Sequence, residues 1–191
     1  MQEDAVLVAN AIKNPNAYSE IVERYEKPLL RYILRISNVS REEAEDILQE
    51  VFLKAYQNLN DFDKKLKFSS WIYRITHNEV ISKWRKRNSR ATEIGIDEAD
   101  ATHFFQSTFN IESEMDAKIL AKEIQQILTK LPSKYREVLV LRFIEDKDYE
   151  AIGDILRKPA GSVATLISRG KKQFLQEVEK ANLTKFFQHH E

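Results

Sequence analysis

Between Phe68 and Arg90 the chain reads FSSWIYRITHNEVISKWRKRNSR, and this stretch holds both tryptophans, Tyr73, Asn78 and six cationic residues: Arg74, Lys83, Arg85, Lys86, Arg87 and Arg90. Only Glu79 interrupts it with negative charge. Rings that stack on bases, set among cations that track phosphates, suit the binding of unpaired nucleic acid. The same residues also fit a packed helix with a solvated basic end. Bond-making chemistry has no comparable candidates. The four histidines, His77, His103, His189 and His190, form no metal-ligand or triad pattern, and no phosphate-cradling glycine loop is present. No catalytic residue, metal or cofactor is therefore expected.

A second constellation lies between Asp148 and Lys172. Two helical patterns are separated by Arg157-Lys158-Pro159-Ala160, the spacing of a helix-turn-helix. In such a motif the second helix enters the DNA major groove. Ser162, Thr165, Ser168 and Arg169 could then meet base edges, while Arg157, Lys158, Lys171 and Lys172 supply charge for phosphates. Ala151, Gly153 and Val163 are the small or buried spacers such a motif needs. An ordinary helical hairpin is the plain alternative.

The third candidate is one face of a helix. Over Arg41–Leu59, residues Ala44, Ile47, Leu48, Val51, Phe52, Ala55 and Leu59 form a continuous apolar stripe, and Asp46, Gln49, Glu50 and Leu53 fall on the other side. That outer face is either simply solvated or a contact patch for a basic partner. Ser40 and Glu43 fit a capping box that starts this helix.

The elements that must carry these residues are helical throughout. Glycine and proline number four each in 191 residues, and apolar positions recur by threes and fours. A short helix over Asp4–Lys13 precedes one over Tyr18–Ile36, which Pro28 should kink or break. A helix is expected from about residue 70 to 88, capped by Ser69-Ser70. The second half restarts at Ser113 with a helix up to Pro132. Another runs through Phe143 with Tyr135, Val138, Leu139 and Phe143 facing inward, and Val163, Leu166, Ile167, Phe174, Leu175 and Val178 line the last long helix.

Formal net charge is zero, with 30 basic and 30 acidic residues, which taken alone argues against a nucleic-acid binder. The charge is sorted into blocks, however. From Ala91 to Ala117 there is no Lys or Arg and there are seven acids. This stretch, which also carries Phe104, Phe105 and Phe109, reads as an interdomain linker. Cysteine is absent, which excludes disulfides and thiolate metal sites. The N-terminus lacks a signal-peptide pattern and no apolar run would span a membrane, so a cytoplasmic protein without membrane insertion is expected. The fold expected is all-α: two small helical domains joined by a flexible acidic linker, the second domain containing the helix-turn-helix.

With these three features in one chain, the sequence resembles bacterial RNA polymerase sigma factors of the small, two-domain extracytoplasmic-function (ECF) group. AEDILQEVFLKAY, Ala44 to Tyr56, is similar to the family's core-polymerase-binding segment through Asp46, Gln49, Glu50, Val51 and Phe52. FSSWIYRITHNEVISKWRKR resembles the segment that melts and reads the minus-ten promoter element. LPSKYREVLVLRF, DYEAIGDIL and PAGSVATLISRGKKQF together resemble the domain that reads the minus-thirty-five element. The likeness covers nearly all of the chain except the linker and the tail.

The resemblance implies a transcription initiation factor, with residues 1–90 binding core RNA polymerase and the minus-ten element, 91–112 as linker, and 113–191 binding the minus-thirty-five element. Asp46, Gln49, Glu50 and Leu53 would meet polymerase. Arg74, Asn78, Ser82, Lys83, Arg85 and Arg87 would hold opened promoter DNA, with a flipped base captured near Asn78. Trp71 would be a core residue. The linker would thread the RNA exit path of polymerase, and an anti-sigma factor would be a further partner. Ser82 stands where the family often has a carboxylate or amide, and Ala164 and Leu166 where it often has basic residues. The expected grip on the minus-thirty-five element is therefore shallow, or shifted to Arg157, Lys158 and Lys171. A conventional helix-turn-helix regulator with a sensing or dimerising N-terminal half would explain Tyr149 to Lys172 equally well, but neither the aromatic-basic helix nor the acidic linker.

Overall fold

The computed structural model describes residues 3–37, 39–63, 66–94, 115–181 and 183, and among these there is no strand. The first domain contains α1 (Asp4–Lys13), α2 (Tyr18–Ile36), α3 (Arg41–Gln57) and α4 (Phe68–Ile94), with short 3₁₀ turns at Pro15–Ala17 and Leu59–Asp61. The second contains α5 (Met115–Lys130), α6 (Ser133–Leu139), α7 (Tyr149–Leu156) and α8 (Ala160–Lys180). The expected linker beyond Ile94, with Phe104, Phe105 and Phe109, lies outside the described residues, as does the tail from 184.

The capping box at α3 is present in both directions. Glu43 N–H donates to Ser40 Oγ at 3.1 Å, and Ser40 N–H donates to Glu43 Oε2 at 3.0 Å. The predicted apolar stripe of α3 is buried at Ala44, Ile47, Leu48, Val51 and Ala55, where the helix packs against α2 and α4. Leu59 is buried in the 3₁₀ turn just past the helix end. Pro28 does not break α2, which runs continuously from Tyr18 to Ile36. A proline lacks the N–H that the i→i−4 ladder needs, so the local cost is met by the tightly buried neighbours Ile21, Tyr25, Leu29, Tyr32 and Ile33.

Two expectations about α4 are corrected. It begins at Phe68, so Ser69 and Ser70 lie within its first turn, and Ser70 is buried without a hydrogen-bond partner for its hydroxyl. It also continues beyond residue 88, to Ile94. Trp71 is 9 % exposed and packs against Phe62 and Phe68, with ring centroids 5.2 and 5.4 Å away, so it is a core residue.

Phe143 is also corrected: it is 58 % exposed, not inward-facing. The chain after Leu139 widens into a π-helical turn over Val140–Ile144, closed by Glu145 N–H donating to Val140 O at 3.0 Å. One additional residue per turn rotates everything downstream away from the ideal α register. Leu175 is likewise exposed, while Phe174 takes the partly buried position beside it.

The two domains pack together. Buried side chains of α1 to α4 and of α5 to α8 belong to one contiguous apolar cluster, and α4 lies directly along α7.

Candidate nucleic-acid interface

The outer face of α3 presents Asp46, Gln49, Glu50 and Leu53 together. They follow i, i+3, i+4 and i+7 spacing, all four are exposed, and Leu53 is 56 % exposed despite being apolar. The helix beneath them is pinned from both sides. Tyr18 Oη donates to the Phe52 carbonyl at 2.7 Å, and the Lys54 ammonium pairs with the buried carboxylate of Glu79 on α4. The sole acid of the aromatic-basic stretch is thus a tether between α3 and α4.

On α4 the predicted residues divide by position. Asn78, Lys83, Arg85 and Arg87 are exposed, with Ser82 half-buried, and Asn78, Ser82 and Arg85 share one face at i, i+4, i+7. Trp84 stands 58 % exposed among these cations, in contrast to the buried Trp71. A large aromatic left in solvent between cations is the arrangement that stacking on unpaired bases requires. Arg74 continues the Asn78–Ser82–Arg85 face one turn earlier, four residues before Asn78, and is half-buried. It lines a cleft of about 430 Å³ shared with Tyr149, Glu150, Asp154, Arg157 and Lys158. The side chain of Arg90 is not described.

In the second domain α7 and α8 form the helix-turn-helix. Asp148 caps α7 by accepting from Ala151 N–H at 2.7 Å, and that bond, followed by Lys67, holds its carboxyl below the usual range. The turn reverses through Arg157, in the left-handed region at φ 52°, and Lys158 N–H donates to Gly153 O at 2.9 Å. The chain returns so closely that a Cβ on Gly153 would stand 2.8 Å from the Lys158 carbonyl oxygen, which accounts for glycine there. Along α8, Val163, Ile167 and Gly170 are buried, and Ser162, Thr165, Ser168, Arg169, Lys171 and Lys172 are all exposed. Thr165 Oγ1 donates to the Gly161 carbonyl at 2.9 Å, and the Lys171 ammonium lies 5.8 Å from the Phe143 ring centre. Arg157 and Lys158 are exposed in the turn.

A set of contacts absent from the sequence expectations joins the domains. Glu145 accepts from Arg35 Nη1 at 2.9 Å and from Tyr73 Oη at 2.7 Å. His77 Nε2 stands 3.4 Å from Glu137 Oε2, an ion-pair distance without hydrogen-bond alignment. Arg136 donates to the Ile36 carbonyl at 3.3 Å and also to the carbonyls of Leu128, Thr129 and Leu131 that end α5. Lys67 pairs with Asp148 at 2.9 Å, and the Lys147 ammonium lies 4.4 Å from the Tyr73 ring centre. Burial raises the Tyr73 phenol well above its ordinary range, and the Glu145 charge adds to this. Burial also lowers Arg35, against the opposing pull of Glu145. Arg35 and Glu145 are 110 residues apart, and neither stands out by periodicity or composition.

The family model for Sigma-70 region 2 matches residues 21–90, and that for Sigma-70, region 4 matches residues 121–174. The ECF RNA polymerase sigma factor SigW of Bacillus subtilis (strain 168) is 36% identical over 170 residues, covering 85% of this chain and 89% of that protein. The ECF RNA polymerase sigma-E factor of Escherichia coli (strain K12) is 28% identical over 182 residues, covering 92% and 94%. Two solved structures share the fold. The sigma factor RpoE in complex with the anti-sigma factor NepR from Bartonella quintana has a TM-score of 0.69 at 21% identity, covering 85% of this chain and 96% of that one. CnrH in complex with the cytosolic domain of CnrY has a TM-score of 0.70 at 22% identity, covering 94% and 99%.

Two helical domains with a helix-turn-helix in the second, matched in order by region 2 and region 4, define a sigma-70-type factor. The chain belongs to the ECF RNA polymerase sigma factors. It is a transcription initiation factor that directs RNA polymerase to promoters.

Proposed function

We propose that the chain divides its work as follows. Residues 1–90 bind core polymerase and the minus-ten element, 91–112 connect, and 113–191 bind the minus-thirty-five element. Asp46, Gln49, Glu50 and Leu53 dock on polymerase, the three polar groups giving directed contacts and Leu53 an apolar anchor. Asn78, Ser82, Lys83, Arg85 and Arg87 hold the melted minus-ten strand, with Arg74 joining them once it leaves the cleft beside α7. Ser162, Thr165, Ser168 and Arg169 face the minus-thirty-five groove, with Arg157, Lys158, Lys171 and Lys172 on phosphates. The chain acts by binding, and polymerase performs the catalysis.

Regulation by an anti-sigma factor in the cytoplasm completes this reading. Its support is the likeness to RpoE, solved with the anti-sigma factor NepR. No helix among the described residues is long and apolar enough to cross a membrane.

The exposed aromatic-basic end of α4, Asn78 through Arg87 around Trp84, carries this reading. Its test is promoter opening by reconstituted polymerase, read from permanganate reactivity of minus-ten thymines. The chain should open a cognate promoter. Replacing Asn78, Lys83, Arg85 and Arg87 with alanine should lower opening at least about tenfold, given about 1.5–3 kcal/mol for each hydrogen bond to a charged group, while leaving polymerase retention intact. Undiminished opening by that variant would reject the assignment.

A further inference from the structure

Between α3 and α4 one ion pair stands where two others would form. Lys54 and Glu79 join the helices, with the Glu79 side chain 9% exposed and that of Lys54 48% exposed. Each also has an opposite charge one turn away on its own helix. Glu50 lies four residues before Lys54, and Lys83 lies four residues after Glu79. Glu followed by Lys at i, i+4 is the order and spacing at which a pair within a helix is most favourable. The surface of α3 supports a pair at this spacing, since Arg41 and Glu45 join at 2.8 Å near its start. Yet Glu50 and Lys83 are both exposed, and neither makes an ion pair among the described residues.

Burial decides which pair forms. Glu79 is buried where α3 packs on α4, and a carboxylate removed from water requires a partner, whereas an exposed pair along one helix contributes little. The Lys54 main chain is itself fixed: its carbonyl accepts from the Asn58 side-chain amide at 2.7 Å and from Asn58 N–H at 3.1 Å. The ammonium reaches from there across to α4. Lys54 is thereby withheld from Glu50, in the polymerase-docking set, and Glu79 is withheld from Lys83, in the minus-ten set. Glu79, Lys83 and Lys86 follow i, i+4 and i+7, so they share one row of α4. An unpartnered Glu79 would stand at the head of that row as the one anion beside its cations.

We propose that Lys54 and Glu79 are positioning residues for the two surfaces beside them: their pair keeps Glu50 available to polymerase and Lys83 available to the opened strand. This rests on the docking and minus-ten assignments of Glu50 and Lys83 given above. The consequence is crossed between the helices. Removing the cation of α3 releases Glu79 to hold Lys83, so the defect falls on DNA opening. Removing the carboxylate of α4 releases Lys54 to hold Glu50, so the defect falls on polymerase docking. Removing both leaves neither group to be captured, and both functions return. A contact that only held α3 against α4 would give the same defect from either side, and removing both partners would not repair it.

The test compares Lys54→Met, Glu79→Gln and the double variant in the full-length chain. Two readouts are taken: affinity for core polymerase, and permanganate-detected opening of a cognate promoter once polymerase is saturated. Lys54→Met should lower opening about two- to fivefold at unchanged affinity, and Glu79→Gln should lower affinity about two- to fivefold at unchanged opening, the range of an exposed ion pair. With a single-stranded minus-ten oligonucleotide and the polymerase complex, Lys54→Met should also flatten the dependence of log affinity on log salt by about 0.7, one phosphate contact. The double variant should match the wild type in all three, which shows that Lys54 is not itself the lost contact. Equal losses in both readouts from either single variant, or a double variant no better than Lys54→Met, would overturn the proposal. Should Lys54→Met fail to fold, Glu79→Gln decides alone, and unchanged polymerase affinity there would overturn it. Glu50→Gln and Lys83→Ala check the assignments separately. If Glu50→Gln leaves affinity unchanged and Lys83→Ala leaves opening unchanged, the two surfaces are misassigned and the proposal falls with them; if both lower their readouts and the crossed pattern is absent, the proposal alone fails.

Discussion

Replacing Gly153 with alanine places a methyl group 2.8 Å from the carbonyl oxygen of Lys158. That oxygen is main chain, held in a turn by Arg157 at φ 52°, by Pro159 and by the bond from Lys158 N–H to Gly153 O. It cannot swing aside as a side chain would. Relieving the contact requires moving the turn of the helix-turn-helix. Overpacking of this sort costs about 1–3 kcal/mol, offset by about 1 kcal/mol from the better helix propensity of alanine. A net loss of about 1 kcal/mol, and at most about 2 kcal/mol, follows.

Gly161 is the internal control, because nothing lies within 4 Å of a Cβ there and the residue is in the first turn of α8. Gly161→Ala should stabilise by about 0.5 kcal/mol, through reduced entropy of the unfolded chain. For a chain of 191 residues packed around one contiguous core, 1 kcal/mol shifts Tm by about 2–4 °C. Calorimetry of the full chain should therefore show Gly153→Ala lowering Tm by about 2–8 °C and Gly161→Ala raising it by about 1–2 °C. Gly153→Ala melting at or above the wild type would refute the packing account of the turn.

Other expectations concern stability and exposure. Ser40→Ala removes one half of the α3 capping box and should cost about 1 kcal/mol, read from denaturant midpoints at unchanged m. Acrylamide should quench Trp84 strongly and Trp71 weakly, so Trp84→Phe should abolish most of the quenchable emission, whereas equal loss on Trp71→Phe would contradict their burial. The lowered pKa of the Asp148 carboxyl contributes stability that is present above the unfolded value of about 3.9 and is lost as pH falls through the lower folded value. Asp148→Asn should flatten the fall of Tm with pH on that acid side; an unchanged slope would show the carboxyl to be unlinked to folding.

The outer face of α3 was legible because a capping box fixed its start and one apolar stripe fixed its inner side. The reading of Asp46, Gln49, Glu50 and Leu53 as exposed followed directly. The helix-turn-helix was legible from punctuation, with Gly153 and the Arg157–Pro159 break bounding two amphipathic patterns. Phe143 was misread because a π turn adds a residue that no side-chain pattern announces. The apolar residues of α4 point to more than one side for a physical reason: Trp71 and Ile72 pack within the first domain, whereas Tyr73 and His77 are covered by the second. Contacts such as Arg35 to Glu145 join positions far apart in sequence through side chains that look like ordinary surface charge. Only the assembled fold reveals them.

The most direct test of the sigma assignment is retention of bacterial core RNA polymerase on the immobilised chain, with Glu50→Arg beside the wild type. Glu50 is exposed on the α3 face opposite the buried stripe, so its reversal leaves the fold intact while placing like charge against a basic partner. Retention by the wild type and its loss in Glu50→Arg are the predicted result. No retention by the wild type, together with tight binding to duplex DNA alone, would contradict it.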